Sequence, residues 1–326
     1  MDFFTHAVLP YLLGSFLGLK KKYLAALVLG GIAPDLDMLV VWVNYIHPTS
    51  LLIVHRGFTH TFFFGFFIAA FMLFLATRDQ VLARAQRFIS LDLDFSAPCL
   101  AFAYAGIISH LFLDYLTTRG VPLFYPFVAA RYSAEIFSMI EIIIMIASLL
   151  VLAELYRERS RAKFNKNIFI IFLAFILIVG GIRLEGKEMA RGFLNDKSAE
   201  VYPDSNLFQW AILENDSDRF HVYEFNSFYG EMPHNSTFLR LNISSGSMAS
   251  ERALELADSL PQVKLFRWRA YAVAINASEL NGSWLLEYYD PVVKLEMLNA
   301  GHIIGLASSG YGSVRVKVEN NEARVV

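Results

Sequence analysis

The sequence predicts an α-helical membrane bundle of about six transmembrane helices, followed by an extramembrane α+β or mostly β domain. The 326 residues are 56% hydrophobic with a mean hydropathy of +0.44, which is too apolar for an ordinary soluble protein of this length. Residues 187–326 are rich in Asn and Ser and contain no apolar run of membrane length. We therefore predict a membrane domain over residues 1–186 and an extracytoplasmic domain over residues 187–326.

Six segments approach the roughly 20 apolar residues that a membrane-spanning helix needs. They are residues 3–19, 23–43, 57–77, 98–117, 133–156 and 167–182. The first and the last are short, and the first could instead form a tilted or re-entrant helix. The segments from the second to the fifth reach the usual length of a span.

Basic residues cluster after the first, third and fifth predicted helices. They are Lys20, Lys21 and Lys22, then Arg78, Arg84 and Arg87, then Arg157, Arg159, Arg161, Lys163 and Lys166. Because Lys and Arg are enriched in cytoplasmic loops, we expect these three segments inside and both the N-terminus and the C-terminal domain outside. The expected location is the cell membrane of a prokaryote, with the lipid bilayer as partner. The sequence does not indicate an oligomeric state.

Short apolar or aromatic runs alternate with turn residues in the C-terminal domain, a pattern that predicts strands. The runs are residues 207–213, 219–225, 237–243, 263–275, 283–289, 302–307 and 313–318. One helix is predicted at residues 247–260, with a serine as its N-cap. Five Asn-x-Ser/Thr sequences, at Asn215, Asn235, Asn242, Asn276 and Asn281, all lie in this domain, which agrees weakly with an external location.

Net charge and cysteine content bear on nucleic-acid binding and on disulfide formation. The net charge of -2 and the pI of about 6.5 give no indication of a nucleic-acid partner. The single cysteine, Cys99, excludes an intramolecular disulfide.

Seven metal-capable side chains lie inside or beside the predicted membrane helices: His6, Asp35, Asp37, His55, His60, His110 and Asp114. An Asp at the centre of a membrane helix costs roughly 2.5–3.5 kcal/mol on insertion scales, so such a group persists where it pairs, binds an ion or lines a wet cavity. His and Asp together form a ligand set for a divalent metal. In the predicted topology all seven lie near the external face. We therefore predict a metal site with Zn²⁺ as the first candidate and Mn²⁺ as the second.

Local spacing supports this set, although each part has a simpler interpretation. His110 and Asp114 are four residues apart and share one helix face; the alternative is a helix-stabilising pair. Asp35 and Asp37 follow Pro34, which should interrupt the helix, and broken membrane helices usually line cavities. The alternative is a solvated helix boundary.

Two arginines are predicted to take part in the chemistry. The sequence His-Arg-Gly-Phe-Thr-His at residues 55–60 places Arg56 between two histidines, and a guanidinium suits a phosphate or carboxylate. We therefore predict a contact between Arg56 and a bound anion, and Arg131 could close over the same site. The alternative for each arginine is an anchor at the lipid headgroups. The alternative for His6, taken alone, is an ordinary packed or capping histidine.

Taken together, the motifs resemble the YdjM-like family of membrane-bound metal-dependent hydrolases. They are Thr5-His6, Pro34-Asp35-Leu36-Asp37, residues 55–60, Ser109-His110 with Asp114, Thr117-Thr118-Arg119-Gly120 and Pro126-Phe127. The family more distantly resembles the zinc-dependent phospholipase C and P1 nuclease group, whose helices hold zinc ions through His and Asp. The resemblance covers about residues 1–135 and not the C-terminal domain. It implies hydrolysis of a phosphoester or phospholipid by metal-activated water, with Arg56 and Arg131 neutralising the charge that develops on the phosphoryl oxygens.

Two other function classes stay open. A metal-ion or solute transporter also uses buried carboxylates, a Pro-interrupted helix and glycines such as Gly30 and Gly31. A transport path needs polar groups on both sides of the midplane, however, and the cytoplasmic halves of these helices are apolar. A receptor with the bundle as its anchor leaves the seven-residue cluster unexplained. A metal-dependent hydrolase is therefore the expected function.

Overall fold

The computed structural model describes residues 1–43, 54–87, 92–158, 162–194, 198–243, 248–300 and 312–326. The strand predicted at residues 302–307 lies outside these ranges, as do Arg159 and Arg161 of the predicted cytoplasmic segments. The chain divides into two units, of which the first extends to Glu185 and the second runs from Gly186 to Val326.

The regular elements in the described residues of the first unit are helices, and residues 116–141 between two of them are irregular apart from two isolated β-bridges. The helices are α1 (Phe3–Phe16), α2 (Lys21–Ile32), α3 (Phe62–Ala76), α4 (Asp79–Ala85), α5 (Ala97–Tyr115), α6 (Ile142–Glu158) and α7 (Ala162–Phe193), whose last turns belong to the second unit. Two short 3-10 helices, Pro34–Leu39 and Phe58–His60, lie between α2 and α3. The two 3-10 helices contain three of the predicted site residues, Asp35, Asp37 and His60.

Among the described residues, two helices are long and apolar enough to cross a membrane. They are Ala97–Tyr115, which is α5, and Lys166–Phe193 of α7. A third span results if α3 and α4, which are bent by 76° relative to each other, are taken together. Within the described residues, the prediction of about six transmembrane helices is therefore wrong.

The positions of helix ends explain the smaller number of spans. α2 stops at Ile32 and the chain passes into a 3-10 helix at Pro34, because proline lacks the N–H that would continue the α-helix. α1 has only 14 residues, and α6 begins at Ile142. Glu141, directly before α6, is buried and accepts a 2.8 Å hydrogen bond from Arg183 of α7. A charged contact inside the protein thus interrupts an apolar segment that hydropathy alone assigns to lipid.

Glycines allow α2 and α5 to pack backbone against backbone. A Cβ on Gly30 would lie 1.8 Å from the carbonyl oxygen of Ala103, and one on Gly106 would lie 2.1 Å from the carbonyl oxygen of Leu27. Small residues at helix crossings permit this close approach in membrane proteins. The crossing brings the C-terminal end of α2 against the middle of α5, where Gly106 lies four residues before His110.

The described part of the second unit contains two sheets. The first is antiparallel, with strand order β1 (Glu200–Pro203), β2 (Gln209–Asn215), β3 (Arg219–Asn226) and β4 (Glu231–Leu239). The second has the order β5 (Leu241–Ile243), β6 (Ala274–Leu280), β7 (Ser283–Tyr289), β8 (Ser313–Glu319) and β9 (Glu322–Val325), with β5 and β6 parallel. The helices are α8 (Met248–Ser259), α9 (Pro261–Arg269) and α10 (Pro291–Ala300). The predicted α+β architecture of this part of the chain is confirmed.

Residues 263–275, predicted as a strand, instead form most of α9 and the start of β6. Pro261 stands in the first turn of α9, a position that proline favours because its missing N–H is not needed there. Val263 and Phe266 are three residues apart, and both are buried in the core beside Leu286 of the five-stranded sheet. Packing of this helix face decides the structure of a segment whose composition also suits a strand.

Candidate metal centre

The seven predicted ligands lie together in the first unit. His6 is on α1, Asp35 and Asp37 on the first 3-10 helix, His55 just before the second, His60 within it, and His110 and Asp114 near the end of α5. They form three overlapping groups whose ligand atoms lie within 4.8 Å of one another: His6, His110 and Asp114; Asp35, His60 and His110; Asp37, His55 and His60. His60 and His110 each belong to two groups and so connect all seven side chains.

The central group has the dimensions of a zinc ligand set. Asp35 Oδ1 lies 3.5 Å from Nε2 of His60 and 3.5 Å from Nε2 of His110, and the two Nε2 atoms are 3.2 Å apart. Ligand bonds of roughly 2.0–2.2 Å in a tetrahedral zinc site separate the ligand atoms by about 3.3–3.6 Å. Three protein ligands leave one position open, which is the arrangement of catalytic zinc sites.

Hydrogen bonds determine the tautomer of His60. The Thr59 hydroxyl donates its single proton to Asp37 Oδ2 at 2.8 Å. The same hydroxyl oxygen lies 2.9 Å from His60 Nδ1, so it can only accept there, and Nδ1 must carry the proton. Nε2 of the neutral His60 ring is then the nitrogen with the free lone pair.

The same argument applies to His110. Its Nδ1 lies 2.7 Å from the carbonyl oxygen of Gly31, which accepts only, so Nδ1 donates and Nε2 has the lone pair. In their neutral forms His60 and His110 therefore place two lone pairs 3.2 Å apart in a buried site. A cation between them converts this repulsion into ligation, and Nδ1–H bonds to a carbonyl or hydroxyl are the usual support of metal-bound histidine.

His6 and Asp114 add buried atoms without hydrogen bonds. The His6 ring stacks on His110 with centroids 3.6 Å apart, and its Nε2 lies 3.3 Å from Asp114 Oδ1 without hydrogen-bond geometry. Asp114 Oδ2 likewise has no hydrogen-bond partner, although Nε2 of His60 and Nε2 of His110 lie 3.5 and 3.6 Å away. Buried polar atoms are rarely left in this state, and ligation of a metal would satisfy them.

Asp37 and His55 are engaged with each other. Nδ1 of His55 lies 2.9 Å from Asp37 Oδ1, and Thr59 occupies Asp37 Oδ2. In this arrangement Asp37 supports Thr59 and, through it, orients the ring of His60. Direct ligation by Asp37 and His55 stays a prediction.

Arg56 and Arg131 form hydrogen bonds with protein groups around the site in this structure. Buried Arg56 donates from Nη2 to Asp114 Oδ1 at 2.8 Å and from Nη1 to Thr117 Oγ1 at 3.0 Å. Arg131 donates to the carbonyl oxygens of Arg119 at 2.6 Å and Gly120 at 2.7 Å. Both arginines therefore position backbone and ligand groups, and their predicted contact with a phosphoryl group remains a prediction.

Two threonines that directly precede histidines, Thr5 and Thr59, also support the site and are not among the predicted site residues. Thr59 sets the tautomer of His60 as described above. Thr5 donates its backbone N–H to Asp2 Oδ1 at 3.0 Å, and its hydroxyl lies 2.7 Å from the hydroxyl of Ser148 on α6. This second contact ties the start of α1, and with it His6, to α6. The repeated Thr-His dipeptide was the available signal.

We expect Thr59→Val to weaken metal binding by about 10–100-fold, the usual effect of removing a group that orients a ligand. Valine has nearly the shape of threonine but lacks the hydroxyl that holds the proton on His60 Nδ1. Competition with a chromophoric chelator would measure the affinity. Thr77→Val is the matched control, because Thr77 only caps the end of α3. Equal affinities in both variants would contradict the assigned tautomer.

Residues 1–185 match a family model described as YdjM inner membrane protein. The chain belongs to this family. The match contains all seven clustered side chains and ends where the first structural unit ends. Membership makes the chain an inner membrane protein, in agreement with the predicted membrane location and the resemblance seen in the motifs. No curated protein and no solved structure matches the chain.

Proposed function

We propose that this member of the YdjM family is a membrane-embedded, metal-dependent hydrolase that cleaves a phosphoester or phospholipid headgroup at the outer face of the membrane. The main support is the pair of imidazole nitrogens of His60 and His110. Their hydrogen bonds leave both lone pairs facing each other at 3.2 Å beside Asp35.

The donor set suits a borderline metal such as zinc, with manganese as the second candidate. Asp35, His60 and His110 would hold one ion, and Asp114 with His6 extends the set on the other side of His110. A bound divalent ion supplies Lewis acidity towards a phosphoryl oxygen and lowers the pKa of a coordinated water towards about 7. No serine or cysteine nucleophile is required for that chemistry.

The surrounding residues keep the ligands in place. The Gly31 carbonyl and the Thr59 hydroxyl hold the two rings with Nε2 directed to the centre. Arg56 holds one oxygen of Asp114, which the Met1 amine also contacts, so the second oxygen stays directed towards His60 and His110. Such preorganised support keeps ligands in the productive geometry.

An aromatic groove beside the centre favours a lipid over a water-soluble phosphoester. It begins two residues after His60 and has a volume of about 410 Å³. Its walls are Phe62, Phe63, Phe66, Phe67, Tyr104, Leu123, Phe124 and Phe127. Phe62 ties the walls of the groove together, since its N–H donates to the Leu123 carbonyl at 3.0 Å and its carbonyl accepts from the Tyr104 hydroxyl at 3.1 Å. An acyl chain in the groove would place a headgroup near the metal ligands.

The test combines metal analysis with an activity assay. We expect detergent-purified protein to contain about one to three zinc or manganese ions per chain and to release phosphorylated headgroup from phospholipid vesicles. Chelation should abolish the release and readdition of the metal should restore it. A well-folded sample that binds no metal after reconstitution would refute the proposal. A sample that binds metal, lacks hydrolysis and carries metal flux into proteoliposomes would favour the transporter.

A further inference from the structure

Basic side chains from three separate parts of the chain gather at one end of the first unit. They come from the start of α2, from α4 with the residues on either side of it, and from the first turns of α7. The described members are Lys20, Lys21, Lys22, Arg78, Arg84, Arg87 and Lys166. The metal centre and the aromatic groove use none of these side chains.

Contacts between α1 and α7 bring two of these parts together. Phe16, the last residue of α1, packs against Phe169 of α7 with ring centroids 4.9 Å apart. The ammonium group of Lys166 lies 6.0 Å from the centre of the same Phe16 ring. Lys20 and Lys21 follow Phe16 after a short turn. Lys166 therefore lies at the same end of the unit as the turn between α1 and α2.

The long apolar helices define the level of this end relative to a membrane. Lys22 donates to Asp94 at 2.8 Å, and Phe95 packs against Phe74 of α3 with centroids 6.0 Å apart. Asp94 and Phe95 directly precede α5, whose 19 residues extend about 28 Å, close to the roughly 30 Å of hydrocarbon in a bilayer. The membrane-spanning part of α7 also begins at this end, at Lys166. The metal ligands lie near the other end of α5, so the basic end is at the opposite membrane surface.

Three of these lysines have no carboxylate to neutralise them. Lys22 is engaged with Asp94 at 2.8 Å. Lys20, Lys21 and Lys166 are exposed, and no carboxylate of the described residues forms an ion pair with any of them. Their positive charge is therefore available to an anion outside the protein.

Apolar side chains lie directly beside these lysines. Phe16 is 37% exposed and Leu17 is 61% exposed, in the turn that Gly18 closes with φ +69°. A phospholipid has the matching arrangement, with a phosphate next to its acyl chains. Basic residues at a membrane surface attract anionic headgroups, and the lysine stems can follow apolar surface while the ammonium groups reach the phosphate. A soluble anion would match the charge and leave the apolar side chains uncovered.

We propose that Lys20, Lys21 and Lys166 bind the headgroup of an anionic phospholipid whose acyl chains lie against Phe16 and Leu17. The ligand is a phosphodiester with net negative charge, and it connects the α1–α2 turn to the start of α7. This lipid is bound at the surface opposite the metal centre and is not a substrate. The inference depends on α5 and α7 being membrane helices and is independent of the proposed hydrolase activity.

Native mass spectrometry of the full chain tests this site by counting the lipids that the protein retains. Protein in neutral detergent micelles is titrated with phosphatidylglycerol or with zwitterionic phosphatidylethanolamine. We expect wild type to prefer phosphatidylglycerol, and a Lys20→Gln/Lys21→Gln/Lys166→Gln variant to bind it about 10-fold or more weakly, because three charges near the headgroup are lost. Unchanged binding in the variant would overturn the proposal, and so would a wild type without preference between the two lipids.

Two further variants show whether the position and the sign of the charge matter. One removes three exposed basic residues of the second unit: Arg252→Gln, Lys264→Gln and Arg324→Gln. We expect it to bind phosphatidylglycerol like wild type. The other places arginine at the three lysine positions and should keep the preference, because the charge is retained. A loss in the first of these variants equal to that of the glutamine variant at the site would show a general effect of net charge and contradict the proposal.

Inorganic phosphate distinguishes a lipid site from a site for a soluble anion. Sodium phosphate and sodium chloride of equal ionic strength screen exposed charges to the same extent. We therefore expect both salts to release the same fraction of bound phosphatidylglycerol. A several-fold larger release by phosphate would identify a free-phosphate site and overturn the assignment to lipid.

Discussion

Replacement of His110 by alanine is expected to abolish stoichiometric metal binding and to lower hydrolytic activity by about 100-fold or more. His110 supplies a ligand atom to two of the three groups in the cluster and supports His6 by ring stacking. Loss of a single supporting group typically costs 10–100-fold in affinity or activity, so loss of a shared ligand should cost more. Elemental analysis of purified protein measures the first effect, and headgroup release from vesicles measures the second.

Two further variants make this result specific. His110→Gln keeps a polar side chain of similar length in the buried site, so it separates loss of ligation from loss of packing. His234→Ala removes a largely exposed histidine of β4, and we expect it to retain wild-type metal content. Full metal content in both His110 variants would show that the cluster is not the metal site.

Gly30→Ala is expected to separate α2 from α5 and to lose the metal centre together with much of the stability. The new Cβ would lie 1.8 Å from the backbone oxygen of Ala103, and backbone cannot rotate away as a side chain does. Overpacking usually costs about 1–3 kcal/mol, and a backbone collision of this kind belongs at the upper end. The movement would also withdraw the Gly31 carbonyl from His110. Thermal unfolding followed by size-exclusion chromatography, with metal content on the same samples, measures both effects.

The matched control is Gly181→Ala on α7, where a new Cβ would meet no atom within 4 Å. Its melting temperature should equal or slightly exceed that of wild type, because alanine favours the helix over glycine by up to about 1 kcal/mol. A Gly30→Ala protein that melts like this control and keeps its metal would show that the two helices are not in close contact. In this structure the helix crossing explains the Gly30-Gly31 pair as a packing contact. Without that contact, the pair would again be a feature in favour of a transporter.

The prediction of spans shows where hydropathy stops being informative. Residues 133–156 form one apolar stretch in the sequence, yet only the part from Ile142 onwards is helical. The reason is a buried contact between Glu141 and Arg183, which are 42 residues apart. A window average records how apolar a segment is, but the end of a helix depends on partners that the window does not contain. The predicted orientation of the termini remains a prediction.

The predicted site residues illustrate the same limit at the level of single atoms. Charged and imidazole side chains in apolar sequence are expensive enough to indicate a shared site from sequence alone. Which ring nitrogen is free depends on Thr59 for His60 and on the Gly31 carbonyl for His110. The position of Arg56 on Asp114 is likewise a long-range contact, and no local spacing specifies it.

The sequence by itself determined the family, the membrane location, the residue types of the cluster and the change to an α+β domain after the bundle. These properties follow from composition and motif. Burying a charge, or exposing a long apolar run to water, costs free energy in any fold. The tertiary structure alone decided how many helices are long enough to span, that α9 replaces a strand, and which ligand atoms face one another. Those outcomes depend on contacts between distant residues, such as the glycine crossing of α2 and α5, which sets the distance from Gly31 to His110.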